Sequence, residues 1–288
     1  MRVITRSPHP AEAGIEYTAT DASDAARLTE AAQGASVIYN CASPPYHRWV
    51  QDWPPLMAGV NAAAEAVGAV QVTLSNLYGY GVPDGPMTED LPLAATGPKG
   101  RVRAQVWQQT LDLHRQGRIR AAEVRASDFF GPGVTDGGHL AGRLMPSLLR
   151  GRTVRVLGDP GTPHSWTYVP DVARALVQVG QSEDSWGRAW HVPTEAPRSI
   201  RAMAGLLAAQ AGVGQPTVRQ LPPGLVRALG LASPLLRELP EVRYQFDRPF
   251  VMDSAAFTAR FGEAATPIDE QIKSTVLWWQ QRLASRSG

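Results

Sequence analysis

Short apolar runs alternate along the chain with amphipathic stretches of about ten to fifteen residues. That alternation is typical of parallel strands joined by crossover helices, and it predicts an α/β fold. In the first half, five runs predict strands that we expect to line up in one sheet, at 3–5, 15–19, 36–42, 70–74 and 121–125. Helical spacing between them predicts helices at 25–33, 54–67 and 99–116, the first capped by Ser23 or Asp24 and the second by Asp52.

The pattern of the second half is more interrupted. It predicts a helix near 140–150, strands near Val154 and Trp166, a helix capped by Asp171 and a strand at 190–193. Three further helices are predicted at 199–211, 225–239 and 268–283. We therefore expect a main domain over 1–130 and a smaller mixed lobe over 131–288, with the strand and helix near 166–180 returning to the main sheet.

Composition narrows the class of protein. The 288 residues include 43% hydrophobic ones and carry a net charge of +2 without a basic stripe, which argues against nucleic acid as a partner. The single cysteine excludes an internal disulfide, and no CxxC or HExxH segment predicts a metal site. No apolar run reaches the roughly 18 residues of a membrane span, so we expect no membrane association and a cytoplasmic location.

The front of the chain departs from the pattern of a dinucleotide-binding sheet. In such a sheet the first strand leads into a glycine-rich turn. The residue that contacts the ribose lies at the end of the second strand, about 20 residues after that turn. Here that reading position already occurs at Arg6, and no GxGxxG follows a strand later in the sequence. In the strand order 3-2-1-4-5-6 the first strand is central, so its loss leaves two strand edges unpaired. Each buried backbone group left without a hydrogen bond would destabilise the fold by about 1 to 3 kcal/mol.

Three explanations for that departure compete. A misassigned start codon is the first, a rebuilt sheet is the second, and a working cofactor site without a glycine loop is the third. An upstream reading frame that encodes an apolar strand and a glycine-rich turn would favour the first.

Five ordered segments carry a resemblance to a known family. They are Asp21 after the second strand, Asn40-Cys41-Ala42-Ser43, Ser75-Asn76 followed by Tyr80-Gly81, the run from Arg125 to Gly133, and the run from His164 to Ala173. Together these segments resemble the extended short-chain dehydrogenase/reductase family, the group of sugar-nucleotide epimerases and dehydratases, over nearly the whole chain. The segment from Lys99 to Arg103 is similar to one found in a bacterial branch of epimerase-like proteins.

The resemblance implies a Rossmann-like doubly wound parallel sheet that lacks its first strand, with a smaller C-terminal substrate lobe. It also implies an NAD or NADP cofactor, and Arg6 slightly favours NADP because an acidic residue there would bind the free ribose hydroxyl. On this register we predict cofactor contacts from Arg6, Asp21, Cys41, Ala42, Ser43, Lys99, Arg103 and Ser127. We predict substrate contacts from Tyr46, His47, Tyr80, Asp128 and His164. We expect Cys41 to be a small buried strand residue.

The catalytic pair of the family is incomplete in this chain. The family uses a tyrosine and a lysine four residues later on one helical face, and by register that pair falls on Lys99 and Arg103. The proton donor is therefore Tyr80, at a strand end, or Lys99. Asn76 takes the place of the family's helper serine and would orient the substrate oxygen, while Arg103 would hold the ribose or phosphate.

Two classes of function remain open from sequence. The first is an NAD(P)-dependent oxidoreductase or epimerase-like enzyme that acts on a hydroxyl or carbonyl of a small or sugar-like molecule by hydride transfer. The second is a non-catalytic dinucleotide-binding or interaction protein that kept the scaffold. A fragment of a longer gene product is a third possibility, and the resemblance implies a possible homodimer.

Overall fold

The computed structural model describes residues 1–10, 12–135, 138–222, 224 and 238–285. They form two compact units: the first comprises 1–79, 93–124 and 176–189, and the second comprises 80–92, 125–175 and 190–288. We keep the lobes 1–130 and 131–288 as a prediction. None of the helices in the described part of the chain combines the length and the apolarity that a membrane crossing requires.

The elements of the first half follow the predicted alternation. They are β1 (Arg2–Thr5), β2 (Glu16–Ala19), α1 (Ala25–Ala31), β3 (Val37–Asn40), α2 (Trp49–Val67), β4 (Val70–Asn76), α3 (Pro98–Arg115) and β5 (Arg120–Ala126). Asp24 caps α1, since its side chain accepts from the Arg27 N–H, and Ser23 does not. Pro98 stands at the start of α3, where its missing N–H costs nothing.

The strands do not form the single sheet that the sequence predicts. β1 and β2 pair in a parallel two-stranded sheet, while β3 pairs with β4 in a sheet of order β10-β5-β4-β3, in which β10 is Ala189–His191. The expectation of one continuous sheet is therefore wrong, and the break falls between β1 and β3. That is the position that the first strand occupies in the order 3-2-1-4-5-6.

The backbone directions of β1 and β3 show which of their N–H and C=O groups face the break between them. Residues of a parallel strand point their N–H and C=O groups alternately to its two sides. The carbonyl of Met1 accepts from the Glu16 N–H, and that of Thr5 accepts from the Thr20 N–H just after β2, so Arg2 and Ile4 direct their backbone groups away from β2. The Ser36 carbonyl accepts from the Val70 N–H, so Val37 and Tyr39 direct theirs away from β4. Neither strand has a further partner strand among the described residues.

Helix α2 begins earlier than predicted. The sequence places its start at Pro54 with Asp52 as the cap, whereas the helix starts at Trp49, contains Pro54 and Pro55, and carries Asp52 in its first turn. Asp52 pairs with Arg48, at 2.7 Å between Oδ2 and Nε. Packing explains the early start, because Trp49 and Trp53 both bury against α3. The free energy gained by burying the two indoles exceeds the loss of the backbone hydrogen bonds that Pro54 and Pro55 cannot donate.

The second unit contains short strands around an apolar core. Its strands are β6 (Asp128–Phe130), β7 (Val154–Val156), β8 (Pro163–His164), β9 (Trp166–Tyr168), β11 (Arg198–Ser199) and β12 (Val218–Gln220). β6 pairs with β9 and β7 with β12 in parallel, and β8 pairs with β11 antiparallel. The described helices are α4 (Met145–Leu148), α5 (Val169–Gln181), α6 (Ile200–Ala211), α7 (Leu239–Val242), α8 (Tyr244–Asp247), α9 (Ala255–Phe261) and α10 (Ile268–Ala284).

Several predicted elements of this half need correction. The helix near 140–150 is reduced to α4, because the preceding residues form turns in which Leu140 and Leu144 are already buried. Asp171 does not cap α5 but lies in its first turn, where it accepts from the Thr266 N–H at 2.9 Å. The prediction at 225–239 lies almost wholly outside the described residues.

Candidate functional site

A cavity of about 1500 Å³ lies in the first unit between β1 and β3. We call it the β1–β3 cavity. Apolar side chains of both strands and of α1 and α2 line its inner part, among them Ile4, Leu28, Ile38 and Val60. Residues that follow the strand ends line the remainder, namely Arg6, Asp21, Cys41, Ala42 and Ser43. The cavity is larger than the roughly 300 to 1000 Å³ of ordinary small-molecule pockets.

Five predicted cofactor residues therefore meet at one place. The carboxylate of Asp21 accepts from the backbone N–H of Ser23 at 2.9 Å and from its hydroxyl at 2.8 Å. These two hydrogen bonds hold the pKa of Asp21 below its usual value, so the side chain is a fixed acceptor at neutral pH. Cys41 is exposed at the cavity wall. The expectation of a buried cysteine is wrong, because β3 is an edge strand that ends at Asn40.

Lys99 lies in a cluster with two tyrosines of the first unit. It is the second residue of α3 and only 2% exposed, and its ammonium lies 4.8 Å from the ring centroid of Tyr46. The hydroxyl of Tyr46 donates to that of Tyr78 at 3.4 Å. Tyr46 was a predicted substrate residue, and its neighbour His47 is exposed. Sequence reasoning missed Tyr78, which the strand-end pattern could have offered beside Tyr80.

Arg103 is packed inside the first unit. Its guanidinium lies 3.8 Å from the ring centroid of Trp53 and donates to the Ser75 hydroxyl at 2.5 Å. Glu123 lies 3.9 Å away, and both charged side chains are 3% exposed. Asn76 at the end of β4 accepts from the backbone N–H of Tyr78 at 3.2 Å, which shapes the turn that carries this tyrosine.

Tyr80 belongs to a buried polar network of the second unit. Its hydroxyl accepts from Arg125 Nη1 at 2.6 Å and lies 2.7 Å from Nε2 of His191. Because Nδ1 of His191 lies 2.7 Å from the carbonyl of Asp253, the proton of the ring is on Nδ1, and Nε2 accepts from the phenol. Burial lowers the pKa of His191, which keeps the ring neutral. No motif or spacing in the sequence predicts a role for His191.

Two predicted substrate residues meet in the second unit. Nε2 of His164 lies 2.6 Å from Oδ2 of Asp128, and Nδ1 lies 3.1 Å from the carbonyl of Gln245. Ser127, beside them in sequence, donates its backbone N–H to Thr167 at 3.0 Å. Its hydroxyl is buried and has no hydrogen-bond partner among the described residues. A buried hydroxyl without a protein partner is a candidate donor to a ligand.

Comparison with known proteins decides the family. The model of the NAD dependent epimerase/dehydratase family matches residues 2–192, which is more than half of the chain. The chain belongs to the NAD-dependent epimerase/dehydratase family. A UDP-glucose 4-epimerase of Mycolicibacterium smegmatis is 26% identical to this family member over 192 residues, which cover 61% of the chain and 60% of that protein. The chain thus spans less than two thirds of the length of this relative.

Solved structures share the fold of this epimerase/dehydratase family member. MoeE5 in complex with UDP-glucuronic acid and NAD superposes with a TM-score of 0.78 at 19% identity, covering 98% of this chain and 91% of that one. A dTDP-glucose 4,6-dehydratase of Bacillus anthracis in complex with NAD gives 0.78 at 14%, covering 94% and 82%. A UDP-glucuronic acid 4-epimerase of Bacillus cereus with NAD gives 0.74 at 15%, also covering 94% and 82%.

The family implies a nicotinamide dinucleotide, and the lining of the β1–β3 cavity fits its adenosine end but not its pyrophosphate. Asp21 offers an ionised acceptor at the cavity. The glycines that line the cavity are Gly14 and Gly34, and neither begins a helix in the described part of the chain. The cavity lining therefore lacks the glycine-rich helix start that holds the pyrophosphate in such folds.

Proposed function

We propose that this protein binds a nicotinamide dinucleotide and catalyses hydride transfer at a hydroxyl-bearing carbon of a nucleotide-linked sugar. The observation that carries the proposal is the convergence of Arg6, Asp21, Cys41, Ala42 and Ser43 on one cavity at the ends of β1, β2 and β3. Ligands of open α/β sheets bind outside the carboxyl ends of their strands. Family membership and the sugar nucleotides named for the related structures support the substrate class.

The chain's own residues have separate roles in this proposal. Asp21 holds the adenosine end as an acceptor at the β1–β3 cavity, and Ser127 of the second unit stays a predicted cofactor contact. Arg6 is exposed on the cavity rim, where its charge favours a 2′-phosphate and hence NADP over NAD. The nicotinamide, when bound, accepts the hydride from the substrate carbon. Lys99 and Tyr80 are the two groups that the sequence offers to take the hydroxyl proton.

Turnover tests this proposal directly. Purified protein is incubated with NAD or NADP and a panel of UDP- and dTDP-linked sugars, and proton NMR follows inversion or loss of a hydroxyl on the sugar ring. We expect conversion of at least one sugar and a loss of about 100-fold or more when the proton-transferring group is removed. Lys99→Ala and Tyr80→Phe separate the two donors, and Tyr17→Phe is the control, since the half-buried Tyr17 does not line the β1–β3 cavity.

A non-catalytic dinucleotide-binding protein is the second candidate. The burial of Tyr80 in its network with Arg125 and His191 favours it, because that network can serve stability alone. Saturable cofactor binding without conversion of any sugar would support this candidate. We also propose a cytoplasmic homodimer, and light scattering coupled to size exclusion would measure its mass.

A further inference from the structure

The tyrosine cluster beside Lys99 is held by packing from three segments. Tyr46 precedes α2, Tyr78 follows β4, and Lys99 opens α3. The indole of Trp49 contacts both phenol rings, with centroid distances of 5.0 Å to Tyr46 and 5.6 Å to Tyr78. Gly100 closes the arrangement from α3, since an added Cβ at this position would collide with the carbonyl of Tyr78. The two hydroxyls therefore have little freedom to separate.

The charge distribution favours negative charge on this pair. The Tyr46 hydroxyl donates to the oxygen of Tyr78, and an ammonium lies near the Tyr46 ring. The pair also lies near the N-terminus of the 18-residue helix α3, whose dipole is positive at that end. A hydrogen bond donated to an oxygen and nearby positive charge both stabilise the ionised form of a phenol. Each of these features favours a phenolate at Tyr78.

The position of the Lys99 ammonium is electrostatically unfavourable. A cation at a helix N-terminus opposes the helix dipole, and a side chain that is 2% exposed has lost most of its hydration. Solvated lysines at helix starts incur no such desolvation. Tyr46 and Tyr78, in contrast, keep part of their surface exposed. The cation is therefore inside, and the phenols have access to solvent or to a ligand.

We infer that Tyr78, supported by Tyr46 and Lys99, is the proton-exchanging group of this protein. The inference rests on the proposed function. In it, Tyr78 takes the role of the tyrosine that is absent from the family's helical pair in this chain. A bound nicotinamide would supply the acceptor for the hydride of the sugar C–H bond, and the Tyr78 phenolate would take the proton of the sugar hydroxyl as that hydride leaves. In the return step the phenol gives the proton back to the carbonyl oxygen as the hydride returns to carbon. Tyr46 and Lys99 act as positioning residues.

The first test needs no cofactor and no substrate. Protein labelled with ¹³C at the tyrosine Cζ is titrated by NMR, and Tyr46→Phe and Tyr78→Phe assign the two signals. We expect Tyr78 to ionise below the usual tyrosine midpoint of about pH 10, with the midpoint moving upward by one pH unit or more in Lys99→Met. Lys99→Arg, which keeps the charge, should restore most of the difference. Ionisation of Tyr78 at or above about pH 10, unchanged by Lys99→Met, would overturn the inference.

The second test separates this inference from the proposed function. Cofactor affinity and the rate of hydride transfer are measured for Tyr78→Phe, with Tyr80→Phe and Tyr17→Phe beside it. We expect Tyr78→Phe to lower kcat by about 100-fold or more with cofactor affinity unchanged. A larger loss in Tyr80→Phe than in Tyr78→Phe would overturn the inference and leave the function intact. Absence of turnover in the unaltered protein would count against the function, and the NMR titration would still decide the state of Tyr78.

Discussion

Nε2 of the buried His164 lies 2.6 Å from Oδ2 of the partly buried Asp128. The other ring nitrogen of His164, Nδ1, lies 3.1 Å from the carbonyl of Gln245, so both ring nitrogens face oxygen atoms. Burial would raise the pKa of Asp128, but the charges of His139 and His164 and the contact with His164 outweigh it and lower that pKa. The pair therefore stabilises the fold when Asp128 is charged.

Removing one member of this pair is expected to destabilise the protein. Asp128→Asn leaves the buried His164 opposite a neutral amide, and the free energy of unfolding should fall by about 3 kcal/mol at pH 7. Because the pKa of Asp128 is lowered by folding, the difference between variant and parent should shrink as the pH falls through the folded-state pKa. Urea unfolding at several pH values measures both effects. An equal loss at pH 7 and at pH 2.5 would contradict this account.

His191 should make the stability depend on pH. Folding lowers the pKa of this buried ring, so the unfolded chain binds the proton more readily once the pH falls below about 6.5. Stability should therefore decrease from pH 7.5 to pH 5, by at most about 1.4 kcal/mol per pH unit for this group. His191→Gln removes the titration and should reduce the slope. The same slope in parent and variant would show that His191 does not titrate in this range.

Gly100 is expected to be intolerant of a methyl group. A Cβ there would meet the Tyr78 carbonyl and the Ala95 side chain, so Gly100→Ala must shift the turn that carries Tyr78. We expect a loss of about 1 to 3 kcal/mol in unfolding free energy, although alanine ordinarily favours a helix. Gly85→Ala is the matched control, because no atom lies within 4 Å of its Cβ position. Equal stabilities of the two variants would contradict the close contact.

The two strand edges at the β1–β3 cavity should exchange their amide hydrogens rapidly. The N–H groups of Ile4 and Val37 point away from β2 and β4, whereas those of Val3 and Ile38 point toward these partners. We expect exchange at Ile4 and Val37 to be roughly 100-fold faster than at Val3 and Ile38. NMR-detected hydrogen exchange measures each amide. Equal protection of all four would show that both edges are paired.

Much of the fold follows from the hydrophobic pattern, because each strand and crossover helix has its own local period. The pattern did not predict that the strands divide into two sheets, with β1 and β2 in one and β3 and β4 in the other. The start of α2 could not be predicted from the local pattern, because Trp49 and Trp53 bury against α3. That tertiary contact overrides the helix boundary that the prolines indicate.

Only part of the candidate site could be predicted from the sequence. Residues just after strands could be placed at one edge, which correctly brings Arg6 and Asp21 to one cavity. Contacts between distant segments could not be inferred from spacing. The Tyr46 and Tyr78 pair joins residues 32 positions apart, and Tyr80 meets His191 over 111 positions.

Dinucleotide binding tests the central claim most directly. Calorimetric titration of the protein with NADP and with NAD should give saturable binding with a Kd below about 1 mM, tighter for NADP. Asp21→Ala should weaken both cofactors, and Arg6→Ala should remove the preference for NADP. Absence of binding of either cofactor at millimolar concentration, in protein shown to be folded by circular dichroism, would contradict the account.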